Sequence, residues 1–364
     1  MLVLLLALSW RYVASSAVAG YEGQGLVAPS SLLQCPRTPF QQQCSRSEET
    51  LSKHHGIQNA STEKYDTLAE RGPNWEVRSS PGKGLGVFAT APIPFGAVVM
   101  TEEALFAIDP PPLVPGHGYK LDAMTASVAA ALALLAPDQR ARFFAAHEHR
   151  FAGEAEAFPG EAHRAVRILR SNAYSLDDGT GRAAMFPAVA RINHDCRPNA
   201  ASVWSGGRRV VWAARDIAAG EEVLVTYVPL VVGAEERQAR LAQYGFRCGC
   251  EACRAGEADD ARRAHMGALL AELKAAARTA LSKRQTRKML AKAEELAALV
   301  EGESLVDYWP QVYRLAAGFA GQSGQKEAAV AWAGKEVRFH RFAGENSTST
   351  KEALAILKRL EGKT

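Results

Sequence analysis

Tyr244-Gly245-Phe246-Arg247-Cys248-Gly249-Cys250-Glu251-Ala252-Cys253 sets three sulfurs within six residues, in a C-x-C-x-x-C spacing. Tetrahedral zinc takes four ligands in a closed structural site. Three other cysteines exist. Cys35 and Cys44 sit in a polar lead-in, so only Cys196 belongs to the part that reads as folded. Cys196 falls in a second dense stretch, Arg191-Ile192-Asn193-His194-Asp195-Cys196-Arg197-Pro198-Asn199-Ala200. There an amide, an imidazole and a thiol stand together beside a turn-forming proline. A Cys250-x-x-Cys253 redox pair is the alternative, but no βα unit surrounds it. The spacing therefore predicts a structural Zn²⁺ held by Cys196, Cys248, Cys250 and Cys253.

Outward from these stretches the texture is β-like. Glu222 to Tyr227 reads as a strand after Gly220-Glu221, and Ser202–Trp204 and Arg209–Trp212 read as a hairpin around Gly206-Gly207. Further upstream, Trp75–Arg78, Gly86–Thr90 and Ala97–Met100 are short β-type runs separated by turn signals, and Asp109-Pro110-Pro111-Pro112 ends that sheet. Gly82-Lys83-Gly84-Leu85-Gly86-Val87-Phe88-Ala89-Thr90 allows positive φ and close backbone approach; alone it reads better as a plain β-turn, and it lacks the strand-to-helix context of a nucleotide fingerprint. Residues 121 to about 170 read as a helical insert, with Met124–Leu135 and a segment begun by Pro137-Asp138. After Cys253, Ala264–Leu281, Gln285–Val300, Tyr308–Gly318, Lys326–Phe342 and Thr350–Leu360 carry i, i+3, i+4 apolar spacing. Short connections between them predict antiparallel helix pairs.

The chain has 364 residues, 47% hydrophobic and 23% charged, with a net charge of +4. That composition excludes a disordered, collagenous or disulfide-dense chain. The charge is too small to predict direct nucleic-acid binding, and no apolar run reaches the length of a transmembrane helix. Leu2–Leu8 followed by Ala17-Val18-Ala19 has the form of a secretory signal, though no Lys or Arg precedes the apolar run. The expected division is a candidate signal at 1–19, a poorly structured region at 20–72, a β-rich domain with its cysteine segment at 73–255 carrying a helical insert at about 121–170, and an α-helical domain at 256–364. In a secreted chain Cys35 and Cys44 would pair, and the sequons at Asn59 and Asn346 would carry glycan.

The stretches "GKGLGVFAT", "NHDCRPNA", "GEEVLVTYV" and "ERQARLAQYGFRCGCEAC", in that order, resemble the SET-domain protein lysine methyltransferases, in particular the SMYD-like branch and related fungal SET proteins. The resemblance covers about residues 74–254. It implies an α+β fold: a SET domain of short β-sheets with a pseudoknot and a post-SET zinc site, followed by the C-terminal α-helical domain. It implies S-adenosyl-L-methionine as cofactor, contacted by Lys83, Gly84, Leu85 and Gly86 of the glycine turn, by Asn172, by Asn193 and His194, and by Phe246 on the adenine side. Tyr227 matches the catalytic tyrosine and Tyr244 the second tyrosine of the lysine channel. Leu85 stands where SMYD-like proteins often have Arg. Residues 101–170 contain no Cys, so the MYND zinc module is expected to be missing.

The implied partner is a protein or peptide lysine. A lysine with an ordinary pKa near 10.4 is protonated at neutral pH, and an apolar aromatic channel favours the neutral nucleophile. The rival function is a non-catalytic SET-like protein-binding module. A Rossmann-type small-molecule methyltransferase is excluded, because no strand–GxGxxG–helix unit is present. Localisation stays divided: the N-terminus points to the secretory pathway, the family to cytoplasm or nucleus. Lys283–Lys288 reads as a solvated helix face, Tyr308-Trp309 as helix–helix core, and His147-Glu148-His149 as surface.

Overall fold

The computed structural model describes residues 70–109, 111, 121–176, 180–342, 344–345 and 347–362. The candidate signal, Cys35, Cys44, Asn59 and Asn346 lie outside the described residues.

Among the described residues ten strands form three small sheets. β1 (Trp75–Ser80) and β2 (Gly84–Ala89) make an antiparallel hairpin with Val77 opposite Val87. β10 (Glu222–Val225) joins the other edge of β2, and β7 (Asn193–His194) lies parallel to β10, with Leu224 opposite Asn193 and Val225 opposite His194. The order β1-β2-β10-β7 thus brings the glycine turn, the Asn-His pair and the strand leading to Tyr227 into one sheet. A second sheet has the order β3-β9-β8, from Val98–Glu103, Arg208–Ala213 and Ala200–Ser205. The β8–β9 turn is Gly206-Gly207, both at positive φ, a conformation glycine adopts without steric cost. The third sheet, β4-β6-β5, uses Phe106–Ile108, Ala183–Met185 and Tyr174–Ser175.

These last strands are two or three residues long, too short to show alternation, and the sequence gives no sign of them. The run of strands ends at Ile108, just before the prolines as expected, but β3 and β4 pair in sheets other than that of β1 and β2. The expected strand to Tyr227 stops at Val225, which leaves Tyr227 on the turn beyond the ladder.

Helices α1 (Leu121–Ala133), α2 (Pro137–Phe144), α3 (Glu154–Ala157) and α4 (Glu161–Asn172) form the insert. They bury Met124, Val128, Leu132, Phe143, Val166, Ile168 and Leu169 against Ile108 and Met185 of the third sheet. Short helices α5 (Ala234–Leu241) and α6 (Glu251–Arg254) bracket the cysteine segment. The tail is α7 (Glu257–Ala276), α8 (Lys283–Gly302), α9 (Trp309–Gln322), α10 (Lys326–Arg341) and α11 (Thr348–Glu361).

One hydrophobic core runs unbroken from Val87, Val223 and Val225 through Leu230 and Leu241 to Met266, Leu269, Leu273 and Leu296 of the tail. A second contact between sheet and tail stacks Trp212 of β9 on Phe339 and Phe342, with ring centroids 5.0 and 4.9 Å away. The Tyr308 hydroxyl accepts from the Leu230 amide at 2.8 Å, so this tyrosine ties the tail to the β-domain and does more than fill helix–helix core. No helix among the described residues is long and apolar enough to cross a membrane.

Candidate functional site

The cysteine cluster assembles from two distant stretches. The ligand atoms of Cys196, Cys248, Cys250 and Cys253 all lie within 4.8 Å of one another, and Cys196 Sγ is 3.6 Å from Cys253 Sγ. Four sulfurs at about 2.3 Å from one metal would sit about 3.8 Å apart, so the cluster has the size of a zinc site. Hydrogen bonds from Cys196 and Cys248 hold the Cys250 thiol far below its ordinary range, while the same contacts and burial push Cys196 up. Four sulfurs packed this closely would repel one another as thiolates, and the charge of a metal ion offsets that repulsion. Arg237, fully buried on α5, adds a guanidinium N–H 3.9 Å from Cys253 Sγ.

The stretch between Asn193 and Asn199 is laced to β10. The Asp195 amide donates to Val225 O at 3.0 Å and the Asn199 amide to Leu224 O at 3.1 Å. Asn199, fully buried, accepts the Leu224 amide at 2.7 Å and donates to Glu222 O at 2.8 Å and to Glu221 Oε1 at 3.0 Å. An amide side chain can make all three bonds at once, which explains why an Asn closes this motif. The sequence reading assigned Asn199 no role.

The predicted cofactor residues fall into two groups. Lys83, Leu85, Gly86 and Asn193 converge on Glu222, a residue the sequence reading did not single out. Asn193 Nδ2 donates to Leu85 O at 3.0 Å and to Glu222 Oε1 at 2.8 Å, and Lys83 Nζ pairs with Glu222 Oε2 at 2.9 Å. Gly86 is the close-approach position: a Cβ there would lie 2.4 Å from Glu222 Oε1 and 3.0 Å from Asn193 Nδ2. Gly84, at φ +80°, borders open space, with nothing within 4 Å of an added Cβ.

Asn172 belongs elsewhere. At the end of α4 it donates to His147 O and Ile168 O, both at 2.7 Å. His194 is also differently placed: its ring nitrogens face the Tyr227 amide and Cys196 Sγ, both inside the protein.

Tyr227, Tyr244, Phe246 and His194 form an aromatic wall. Tyr227 lies 5.1 Å from Tyr244, 5.4 Å from His194 and 6.2 Å from Phe246 between ring centroids. Tyr227 and Tyr244 are buried, and Phe246 is 37% exposed at the rim. The Tyr227 hydroxyl donates to Ile192 O at 2.5 Å.

The segment holding His147 and His149 is irregular chain, not helix, and packs on this wall. The His147 ring meets Tyr244 O at 3.1 Å, and a Cβ on Gly245 would strike the His149 ring at 2.2 Å. Glu148 is anchored by Arg167 at 2.8 Å, and Arg170 donates to His149 O at 2.8 Å. The insert thus supports the Tyr244–Phe246 arm, a role that i, i+2 spacing concealed because the helix assumed for it is absent.

Residues 84–228 match the family model of the SET domain. The chain is 32% identical to histone-lysine N-methyltransferase set5 of Schizosaccharomyces pombe over 182 residues, 49% of this chain and 50% of set5. Human N-lysine methyltransferase SMYD2 is 32% identical over 120 residues, 31% of this chain and 28% of SMYD2. The chain therefore spans about half the length of set5 and less than a third of SMYD2. Among solved structures, Rubisco LSMT bound to AdoMet aligns at 14% identity with a TM-score of 0.31, covering 82% of this chain and 90% of that one.

Proposed function

We propose that this protein is an S-adenosylmethionine-dependent protein-lysine N-methyltransferase. The observation that carries the reading is the aromatic wall of Tyr227, Tyr244 and Phe246 beside the Lys83–Glu222–Asn193 cluster, with Tyr227, Glu222 and Asn193 inside the stretch that matches the SET-domain model. Named activities of set5 and SMYD2 agree with it.

Lys83, the Leu85 carbonyl, Gly84, Gly86 and Asn193 would hold the cofactor, with Phe246 covering its edge. The open space at Gly84 and the polar groups around it fit such a ligand. S-adenosylmethionine, when bound, supplies an electrophilic methyl group. The chain's own residues do the rest. Buried aromatic rings exclude water and disfavour the ammonium form of a substrate lysine. The Tyr227 hydroxyl, fixed on Ile192 O, has an oxygen placed to orient the amine, and positioning of the two reactants supplies much of the rate. Asn172, with its amide engaged by two carbonyls, supports the site by fixing the His147 segment. The lacing of residues 193–199 to β10 supports a threaded, pseudoknotted crossing here.

Incubation with labelled cofactor and a protein or peptide array tests the reading. Label on lysine supports it; cofactor binding without transfer to any protein favours the non-catalytic module. Gly86→Ala sharpens the site assignment. Its methyl must displace the end of Glu222 and break the Glu222–Asn193 contact. Cofactor affinity by calorimetric titration should fall tenfold or more, with a stability loss of about 1–3 kcal/mol because Ser80 Cβ, 3.1 Å from the added methyl, must give way along with the Glu222 tip. Unchanged affinity removes Glu222 and Asn193 from the cofactor site.

We further propose that Cys196, Cys248, Cys250 and Cys253 hold one structural Zn²⁺, pinning the post-SET arm so that Tyr244 and Phe246 face Tyr227. Elemental analysis should give one zinc per chain. A site filled at a thousand times its dissociation constant contributes about 4 kcal/mol, so stripping the metal should lower Tm by about 10 °C. Protein without zinc, whose four thiols alkylate freely, overturns this.

A further inference from the structure

The geometry points to His194 as a positioning residue that couples the thiolate cluster to Tyr227; we infer that metal loading and the placement of the catalytic tyrosine are linked through this one ring. The inference rests on the metal and methyltransferase readings above.

His194 is 3% exposed. The Tyr227 main-chain N–H donates to its Nδ1 at 3.0 Å. A neutral imidazole that accepts on one nitrogen carries its proton on the other, so the N–H is on Nε2. Nε2 lies 3.3 Å from Cys196 Sγ. The ring therefore donates to a sulfur of the cluster and accepts from the backbone of Tyr227. It spans the two sites without an intervening residue.

Tyr227 is held to the same segment at its other end as well. Its hydroxyl donates to Ile192 O at 2.5 Å, two residues before His194. The segment in turn is fixed on β10, where His194 stands opposite Val225. Main-chain nitrogen and phenol oxygen of Tyr227 are thus both referred to residues 192–194, and those residues lead directly into Cys196.

The direction of coupling follows from the sulfur. A metal-bound Cys196 is a thiolate, and an N–H donated to an ionised acceptor makes a shorter and stronger hydrogen bond than one donated to a neutral thiol. That bond fixes the proton on Nε2 and leaves Nδ1 free to accept the Tyr227 amide. Hydrogen-bond partners outside the first ring of ligands are typically worth 10–100-fold in metal affinity.

Two conservative substitutions separate the ends. An asparagine carbonyl falls where Nδ1 is, and a glutamine amide reaches where Nε2 is. His194→Asn should keep the Tyr227 amide protected from hydrogen exchange. It should weaken zinc at least tenfold in chelator competition and shift the sulfur-to-metal charge-transfer band of the cobalt(II)-substituted protein. His194→Gln should leave zinc affinity and the cobalt band near wild type while the Tyr227 amide exchanges at least tenfold faster. A Tyr227 amide whose exchange in the wild type is unchanged by stripping the zinc, or zinc affinity and amide protection that both stay at the wild-type level in both variants, overturns the coupling while wild type still binds metal. Wild type that takes up neither zinc nor cobalt overturns the metal reading, and the coupling with it.

Discussion

Arg263→Ala should cost 3–5 kcal/mol, which is the expected loss when one partner of a buried ion pair is removed. Arg263 of α7 is fully buried. Its Nε lies 2.9 Å from Asp259 Oδ2 and its Nη2 2.8 Å from Glu303 Oε2, with both carboxylates largely shielded from water. The remaining guanidinium hydrogens donate to Leu230 O at 3.0 Å and Cys196 O at 3.2 Å. Truncation strands two buried carboxylates on the partly exposed Arg197 and Arg262, which also pair with them. It also leaves two buried carbonyls without their donor.

The effect should not stay within the tail. Leu230 follows Tyr227 by three residues and Cys196 is a cluster cysteine, so Arg263 ties the helical domain to both halves of the site. Denaturant unfolding should show the loss, and zinc retention at a fixed chelator concentration should fall with it. Arg263→Lys keeps the charge but not the fork, and should recover part of the stability only. A loss below about 1 kcal/mol for the alanine variant would mean the network contributes little beyond its own desolvation.

Arg263 shows why part of this site could not be read from the sequence. Its neighbours in the chain are alanine, arginine and histidine on a solvated-looking helix, and nothing local marks it as buried. Its partners lie 33 and 67 residues upstream and 40 downstream. Glu222 escaped notice for the same reason: in "GEEVLVTYV" it reads as a strand residue, and only the β2–β10 pairing shows it beneath Gly86. What local chemistry does specify was legible. Sulfur spacing located three of the cluster's four cysteines and elimination supplied the fourth. Aromatic and glycine positions of the wall and turn followed from the motifs, and the tail helices from their 3.6-residue period. Boundaries moved where tertiary pairing decides, as at Val225, and three very short strands appeared where only a neighbouring sheet edge makes them strands. His194 was read from its motif as a cofactor contact, and its ring lies between the Tyr227 amide and Cys196 Sγ. Its motif gives the residue, but the partners of its two nitrogens depend on where Cys196 and Tyr227 lie in space.

Tyr227→Phe should lower kcat for lysine methylation by about 10²-fold, the usual cost of deleting one preorganised polar contact at a reacting centre, with cofactor affinity changed by no more than about threefold. The reason lies in what the substitution spares. The phenyl ring still packs 5.1 Å from Tyr244 and 5.4 Å from His194, and the main-chain N–H still reaches His194 Nδ1. The Lys83–Glu222–Asn193 cluster is untouched. What disappears is one hydroxyl, and with it the 2.5 Å bond to Ile192 O. Leaving that buried carbonyl unmet costs about 1–3 kcal/mol of stability, so the variant should fold and melt only modestly lower. An interaction made chiefly in the transition state shows itself as a fall in kcat and kcat/KM together. Methylation kinetics run beside calorimetric titration of the cofactor therefore separate the cases. Turnover equal to wild type removes Tyr227 from the chemistry. A fall in cofactor affinity as large as the fall in kcat makes the residue part of the cofactor pocket instead. Wild type that binds no cofactor hands the site to the non-catalytic, protein-binding reading.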